Sequence, residues 1–208
     1  MNLTSPLSGI LRETDAAVIT ALQRTTDGFT GRRLESLIGA TSRSALLSSL
    51  DRLQTIGLIR RTDIGNAAVY TLNRAHLLWT NGIEDMLETP AALETRIAGL
   101  VAESFPAATV AVFGSVARGD ATLESDVDLV VLADVSAAHA ERRAEVLDDL
   151  DQLVSTVTGN ALQVIWIDFD DLSRLVKGKD LLLQSWLGES RTIAGPDLRA
   201  RIRATAAA

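Results

Sequence analysis

The stretch that decides the fold reads Val110-Ala-Val-Phe-Gly114-Ser115-Val-Ala-Arg118-Gly-Asp-Ala-Thr-Leu-Glu-Ser-Asp126-Val-Asp128-Leu-Val-Val-Leu132. It predicts an apolar strand that ends at Gly114-Ser115, a turn or helix start, and a second apolar strand that carries two aspartates. Residues two apart on a strand point to the same face of the sheet. The spacing therefore predicts the carboxylates of Asp126 and Asp128 on one side of the sheet, with Cα atoms roughly 7 Å apart.

Two carboxylates at this separation repel each other unless a cation lies between them. Mg²⁺ suits such oxygen ligands and combines them with substrate phosphates. Gly114 lets the backbone approach a ligand closely, and amides at a helix start beside the Ser115 hydroxyl can hold a phosphate. The pattern indicates nucleotidyl transfer, where positioning and metal electrostatics supply most of the catalysis. The alternative is a turn glycine and two solvated aspartates at a strand start.

Gly114-Ser115 followed by Asp126-x-Asp128 resembles the DNA-polymerase-β-like nucleotidyltransferase superfamily. With Arg118 included, the motif is most similar to the small bacterial members, the minimal nucleotidyltransferases. The resemblance implies Mg²⁺ or Mn²⁺ held by the catalytic Asp126 and Asp128. It also implies an NTP, most readily ATP, bound by Gly114, Ser115 and Arg118. Small members of this superfamily act as antitoxins that modify a toxin, so a toxin encoded nearby is an expected partner.

The third strand departs from this resemblance. Enzymes of the superfamily carry a third acid at its start, where this chain has Leu162-Gln163-Val164. Glutamine is neutral, cannot accept a proton at pH 7 and is a poorer metal ligand. Asp168, at the far end of the strand, is predicted to cap the next helix. Because loss of a general base costs about 10²–10⁴ in rate, transfer is expected to be slow or absent while the phosphate and metal sites persist.

The N-terminal part predicts three helices and a hairpin, with helices near residues 14–24, 31–38 and 42–56 and a tight turn at Ala40-Thr41. Strands at 58–62 and 67–72 are joined by the turn residues 63–66. This order resembles the winged helix-turn-helix of bacterial regulators. A third helix of this size fits the major groove, and a wing can contact phosphates. The predicted DNA contacts are Arg43, Ser44, Ser48, Arg52, Arg60 and Arg61. The alternative is that these residues are solvated and that the module binds protein or forms a dimer.

Charge is divided unevenly along the 208 residues, with a net +3 up to Leu78 and −10 beyond it. Only the N-terminal part is therefore suited to approach a polyanion. The absence of cysteine excludes disulfide and thiolate chemistry. The first residues lack a signal-peptide pattern, and no apolar run reaches the length of a membrane span, so a cytoplasmic location is expected.

These observations predict an α/β (α+β) protein, with an N-terminal winged helix-turn-helix followed by a small polymerase-β-like nucleotidyltransferase domain with a mixed sheet. The expected domains are 1–75, a linker helix 76–90 with a break near Thr89-Pro90, and 91–208. A homodimer is expected because such regulators read two half-sites. The favoured hypothesis is a DNA-binding protein whose Mg²⁺-dependent nucleotidyltransferase domain transfers NMP from an NTP to a hydroxyl of a protein or nucleic acid, in an antitoxin-like role. The alternative is a transcriptional regulator whose weak or inactive transferase-like domain only senses a nucleotide.

Overall fold

The structure, a computed structural model, describes residues 1–39, 42–134 and 139–207. The tight turn predicted at Ala40-Thr41 lies outside these residues. Contacts divide the chain into two units, one of Thr4–Thr89 with Asn2 and one from Pro90 onward with Met1 and Leu3. No helix in the described ranges is both long enough and apolar enough to cross a membrane.

The N-terminal unit begins with a short 3₁₀ helix (Pro6–Gly9) and continues with α1 (Glu13–Leu22), β1 (Phe29–Thr30), α2 (Gly31–Ile38), α3 (Arg43–Thr55), β2 (Ile59–Ile64) and β3 (Ala67–Leu72). The strands form an antiparallel sheet in the order β1-β3-β2. Helix starts follow the local sequence, since the Thr30 and Ser42 hydroxyls accept hydrogen bonds from the backbone amides of Arg33 and Ala45. The predicted helices and hairpin are confirmed, and β1 is an additional strand.

Apolar side chains from all three helices and the hairpin build the core of this unit. Leu22 and Leu34 are fully buried, and Leu50 and Ile59 are 1% exposed. At roughly 25 cal/mol per Å² of apolar surface, burial of these side chains is the main force that holds the helices to the sheet. The polar side of α3 is left facing solvent.

The helical segment that follows was predicted to break near Thr89-Pro90, and this prediction is wrong. A π-helical turn (Trp79–Ile83) leads into α4 (Glu84–Ser104), which continues through Pro90. The non-helical backbone lies instead at Asn81 and Gly82. The physical reason is that proline's fixed φ is compatible with a helix at the expense of one hydrogen bond, whereas glycine is a weak helix former by about 1 kcal/mol.

The C-terminal unit continues with β4 (Thr109–Phe113), α5 (Gly114–Arg118), β5 (Val127–Leu132), α6 (Ala140–Thr158), β6 (Leu162–Ile167), α7 (Phe169–Gly178), α8 (Leu181–Glu189), β7 (Arg191–Ala194) and α9 (Leu198–Ala207). These described strands form one sheet in the order β6-β5-β4-β7. β5 is parallel to β6, and β4 is antiparallel to both β5 and β7. The predicted mixed sheet is therefore confirmed.

Both faces of this sheet are covered, which explains why its strands read as nearly continuous apolar runs. Val110 and Val112 pack in a cluster with Ile97 of α4 and Leu150 of α6. Ala111, between them, packs on the opposite face in a cluster that contains residues of α7, α8 and α9. This packing fixes the end of β4 and the starts of β5 and β6 at one edge of the sheet, where the predicted site residues lie.

Candidate nucleotide and metal site

Gly114 brings the chain directly against the Asp128 carboxylate. The end of β4 pairs with the start of β5, with Phe113 opposite Asp128. Gly114 follows at φ 65°, a left-handed conformation that favours glycine. A Cβ built at this position would overlap Oδ2 of Asp128. The motif glycine is therefore required both by its backbone conformation and by the carboxylate that faces it.

Asp126 lies immediately before β5 and Asp128 is its second residue, and both are half-buried. Burial raises the pKa of Asp128, the negative charge of Asp126 raises it further, and Arg118 partly offsets the increase. No hydrogen bond from the described residues reaches the Asp128 carboxylate. An ionised pair in this environment is stabilised by a cation, and its oxygen ligands fit Mg²⁺ bound together with phosphates.

Gln163 occupies the expected position of the third acid. On the parallel strand β6 it is the register partner of Asp128. Its side-chain Nε2 donates a hydrogen bond of 2.7 Å to Oδ2 of Asp126. Within the described ranges, no group of three or more His, Cys, Asp or Glu side chains is arranged to hold a metal ion. The strand position was predicted from the sequence, whereas the bond to Asp126 was not.

Asp168 behaves as the predicted helix cap. Its carboxylate accepts a hydrogen bond of 2.7 Å from the backbone amide of Asp171, and the Asp171 side chain accepts one from the backbone of Asp168. This reciprocal capping box starts α7. Asp168 is therefore engaged at the opposite end of β6 from Gln163.

Arg118, at the end of α5, is held by two acids. Its Nη1 lies 2.7 Å from Oε2 of Glu189, and its Nε lies 3.2 Å from Oδ2 of Asp120. These hydrogen bonds raise the pKa of the Arg118 guanidinium. The contacts connect α5 to the end of α8 and leave part of the guanidinium exposed. Glu189 was missed by sequence reasoning because nothing local indicates a contact with a residue 71 positions away.

Ser115 is the first residue after Gly114 in α5 and is half-buried. Its carbonyl accepts the backbone amides of Gly119 and Asp120, which closes the short helix and returns the chain toward β5. The structure thus places Gly114, Ser115, Asp126 and Asp128 together at one edge of the sheet. These are four of the five residues predicted to bind nucleotide or metal, and Arg118 lies at the end of the same short helix.

The residues predicted to bind DNA belong to the N-terminal unit and differ in their surroundings. Arg43, Ser44 and Ser48 are exposed on α3. Arg60 donates a hydrogen bond of 2.9 Å to Oδ1 of Asn73. Arg61 forms an exposed ion pair of 2.9 Å with Asp63. Such surface pairs contribute little to stability, so the Arg61 guanidinium can readily exchange Asp63 for another anion.

Arg52 is engaged within its own unit. Its Nη2 and Nε lie 2.5 and 3.0 Å from the carboxylate oxygens of Asp15, which is 7% exposed. Ser49, which is fully buried, donates a hydrogen bond of 2.5 Å to the same carboxylate. This cluster joins α1 to α3, and Asp15 was not identified from the sequence. The sequence signal for this cluster was the position of Asp15, an aspartate on the side of α1 that faces the core.

A comparison with known protein families finds a match in the first part of the C-terminal unit. Residues 95–164 match the family model described as a nucleotidyltransferase domain. This segment contains the candidate site from Gly114 to Gln163. No curated protein matches the chain.

Two solved structures are similar to part of the chain. One, described as a toxin-antitoxin with AMP-PNP, is 19% identical, covers 55% of this chain and 81% of its own, and has a TM-score of 0.37. The other, a mutant of the toxin-antitoxin MntA-HpeT, is 17% identical with the same coverage and a TM-score of 0.37.

Proposed function

We propose that the C-terminal unit is a Mg²⁺-dependent nucleotidyltransferase that transfers NMP from an NTP, with ATP favoured, to a hydroxyl group. One observation carries the proposal: Gly114 is packed against the Asp128 carboxylate, with Asp126 beside it at the same edge of the sheet. The match of residues 95–164 to the nucleotidyltransferase domain supports it.

In this proposal Asp126 and Asp128 hold the cation, and Ser115 with the backbone of α5 holds the triphosphate. Bound Mg²⁺ supplies neutralisation of the charge that develops on the phosphates. The acceptor hydroxyl oxygen forms a bond to the α-phosphorus while the bond to the leaving pyrophosphate breaks. Gln163 cannot accept the hydroxyl proton, which therefore passes to water. Transfer is expected to be slow for this reason, by about 10²–10⁴ relative to a site with a base.

The acceptor in this proposal is a hydroxyl of a toxin protein or of a nucleic acid. The resemblance of the Gly114-Ser115 and Asp126-x-Asp128 motifs to minimal nucleotidyltransferases favours an antitoxin-like role. A toxin encoded near this protein is the partner that such a role requires.

For the N-terminal unit we propose a winged helix-turn-helix that binds double-stranded DNA as a homodimer. The observation that favours it is the arrangement of α1, α2 and α3 against the β2–β3 hairpin, with Arg43, Ser44 and Ser48 exposed on α3. Arg60 and Arg61 would contact phosphates from the wing. Arg52 would hold α3 against Asp15, and the exposed part of its guanidinium would be available to the DNA phosphate backbone. If the C-terminal unit binds nucleotide without transferring it, the protein would be a nucleotide-sensing regulator. The replacement of a general base by Gln163 favours this alternative.

The test uses the full chain with Mg²⁺, ATP labelled on the α-phosphate and a lysate of its host. The control is the Asp126→Ala/Asp128→Ala double variant. Label transferred to a macromolecule by the wild type alone would support the transferase and reveal the class of its acceptor. Mg²⁺-dependent ATP binding without transfer would favour the sensing regulator. Absence of both transfer and binding with each of the four NTPs would contradict the proposal.

A further inference from the structure

We propose that Gln163 is a positioning residue that sets this site to hold one divalent cation with its nucleotide, where three acids would hold two. The inference rests on the proposed function and concerns the metal content of the same site. It begins from the hydrogen bond of 2.7 Å between Gln163 Nε2 and Asp126 Oδ2. The amide must present its nitrogen to Asp126, because its oxygen would repel the carboxylate.

The hydrogen bond reduces the number of Asp126 oxygens that are free to bind a cation. One Asp126 oxygen receives the Gln163 amide, which carries partial positive charge into the space beside it. A cation at that place would meet this dipole and would lack the third carboxylate. Asp126 keeps its other oxygen, and Asp128 keeps both, so the pair still provides the one or two carboxylate ligands that a single Mg²⁺ takes alongside phosphates.

Charge leads to the same conclusion. Asp126 and Asp128 together carry two negative charges, which one divalent cation neutralises. Asp168, the nearest acid along β6, is occupied in the capping box of α7 and lies at the other end of the strand. A second cation would therefore have no carboxylate of its own and could only share the oxygens of Asp126 and Asp128 with the first. Two-metal sites hold their ions about 3.5–4 Å apart, and here the third acid that would secure the second ion is replaced by an amide.

Gln163 also orients Asp126 in this proposal. Partners of metal-binding carboxylates fix their geometry, and their loss typically weakens metal binding by about 10–100-fold. Gln163 is exposed, and its removal leaves the buried residues of β6 unchanged. A loss of metal affinity in Gln163→Ala would therefore arise at the site and not from unfolding.

The experiment measures Mn²⁺ bound per full-length chain by electron paramagnetic resonance, with a non-hydrolysable ATP analogue present. We expect one Mn²⁺ for the wild type, one bound about 10–100-fold more weakly for Gln163→Ala, and two for Gln163→Asp. Circular dichroism of each variant checks folding. Gln152→Ala, an exposed change on α6, is the matched control and should bind as the wild type does.

The outcomes separate this inference from the proposed function. Two Mn²⁺ in the wild type, or one in a folded Gln163→Asp, would overturn the inference while leaving the nucleotide site in place. Unchanged affinity in Gln163→Ala would show that Gln163 does not position Asp126. No nucleotide-dependent Mn²⁺ binding in the wild type would overturn the proposed function and the inference with it.

Discussion

Asp15 is buried and Asp128 is half-buried, but the two carboxylates differ in the partners that their units provide. Asp15 is 7% exposed and receives hydrogen bonds from Ser49 and Arg52. Asp128 is half-buried, receives no hydrogen bond from the described residues, and has Asp126 as a neighbouring charge. A buried charge is costly unless it is paired. Asp15 is paired within its unit, whereas the charge on Asp128 is only partly offset, by Arg118, and is left to be matched by something from outside.

This contrast marks Asp128 as a candidate functional residue, which burial alone would not do. Residues that keep an uncompensated charge in a folded protein are concentrated at functional sites, although structural ion pairs also perturb titration. Here the structural pair and the candidate site occur in one chain and can be compared by the same substitutions. The Asp15 cluster should respond in stability, and the Asp128 site should respond in ligand binding.

The largest effect is expected from Gly114→Ala, which disturbs the Asp128 site. The new methyl group would overlap Asp128 Oδ2 and would occupy a left-handed conformation that costs roughly 1–2 kcal/mol. Because displacement of the Asp128 carboxylate disturbs a ligand of the proposed cation, we expect the Mg²⁺-dependent affinity for nucleotide to fall by about 10–100-fold. Isothermal titration of the full chain with Mg²⁺ and an ATP analogue measures this change.

Gly159→Ala is the matched control for that experiment. Gly159 also has positive φ, at 74°, but beyond its own backbone and its chain neighbours no heavy atom of the described residues lies within 4 Å of a Cβ built there. It should lose stability through the same left-handed backbone cost and retain nucleotide binding. Equal losses of affinity in the two variants would show that backbone strain, and not the contact with Asp128, is responsible.

The next largest effect is expected from Asp15→Ala, which removes the carboxylate that pairs with Ser49 and Arg52. The fully buried Ser49 hydroxyl would lose its partner, at a cost of about 1–3 kcal/mol. Arg52 is partly exposed and can be rehydrated, so the loss should stay below the roughly 3–5 kcal/mol of a fully buried pair. Hydrogen exchange of the α1 and α3 amides measures the change in local stability.

Asp51→Ala provides the comparison on the same helix, since Asp51 is exposed on α3. A substitution at such a position usually changes stability by no more than about 0.5 kcal/mol. Similar protection of α1 and α3 in both variants would contradict the structural role assigned to Asp15.

Local features of the molecule could be predicted from the sequence, whereas contacts between distant residues could not. The motif around Gly114 predicted a strand that ends at this glycine and a following strand with Asp126 and Asp128 at its start, because a glycine turn and alternating residues act locally. The Gln163–Asp126, Arg118–Glu189 and Asp15–Arg52 contacts join distant residues, and a single sequence contains no periodic signal for them. The break at Asn81-Gly82 was missed because Pro90 was the more conspicuous helix breaker, although its backbone geometry fits a helix.

The smallest effect is expected from Asp128→Asn, and it has the opposite sign from damage to Asp15. Burial and Asp126 raise the folded-state pKa of Asp128 above its ordinary value. The folded state therefore binds this proton more tightly than the unfolded state, so stability falls as pH rises between the ordinary and the raised pKa. Without divalent cations, Asp128→Asn should be slightly more stable than the wild type at pH 7, with the gain vanishing below an ordinary aspartate pKa of about 3.9.

Thermal unfolding in EDTA at a series of pH values measures that difference, with Asp15→Asn as the variant expected to lose stability at pH 7. A gain for Asp128→Asn that persisted at low pH would rule out relief of the charge as its cause. Addition of Mg²⁺ and an ATP analogue should then reverse the order. At 100 times the dissociation constant, a ligand stabilises the state that binds it by about 2.7 kcal/mol, and only the wild type retains both carboxylates to gain this. The same charge that weakens the empty fold would thus strengthen the loaded one.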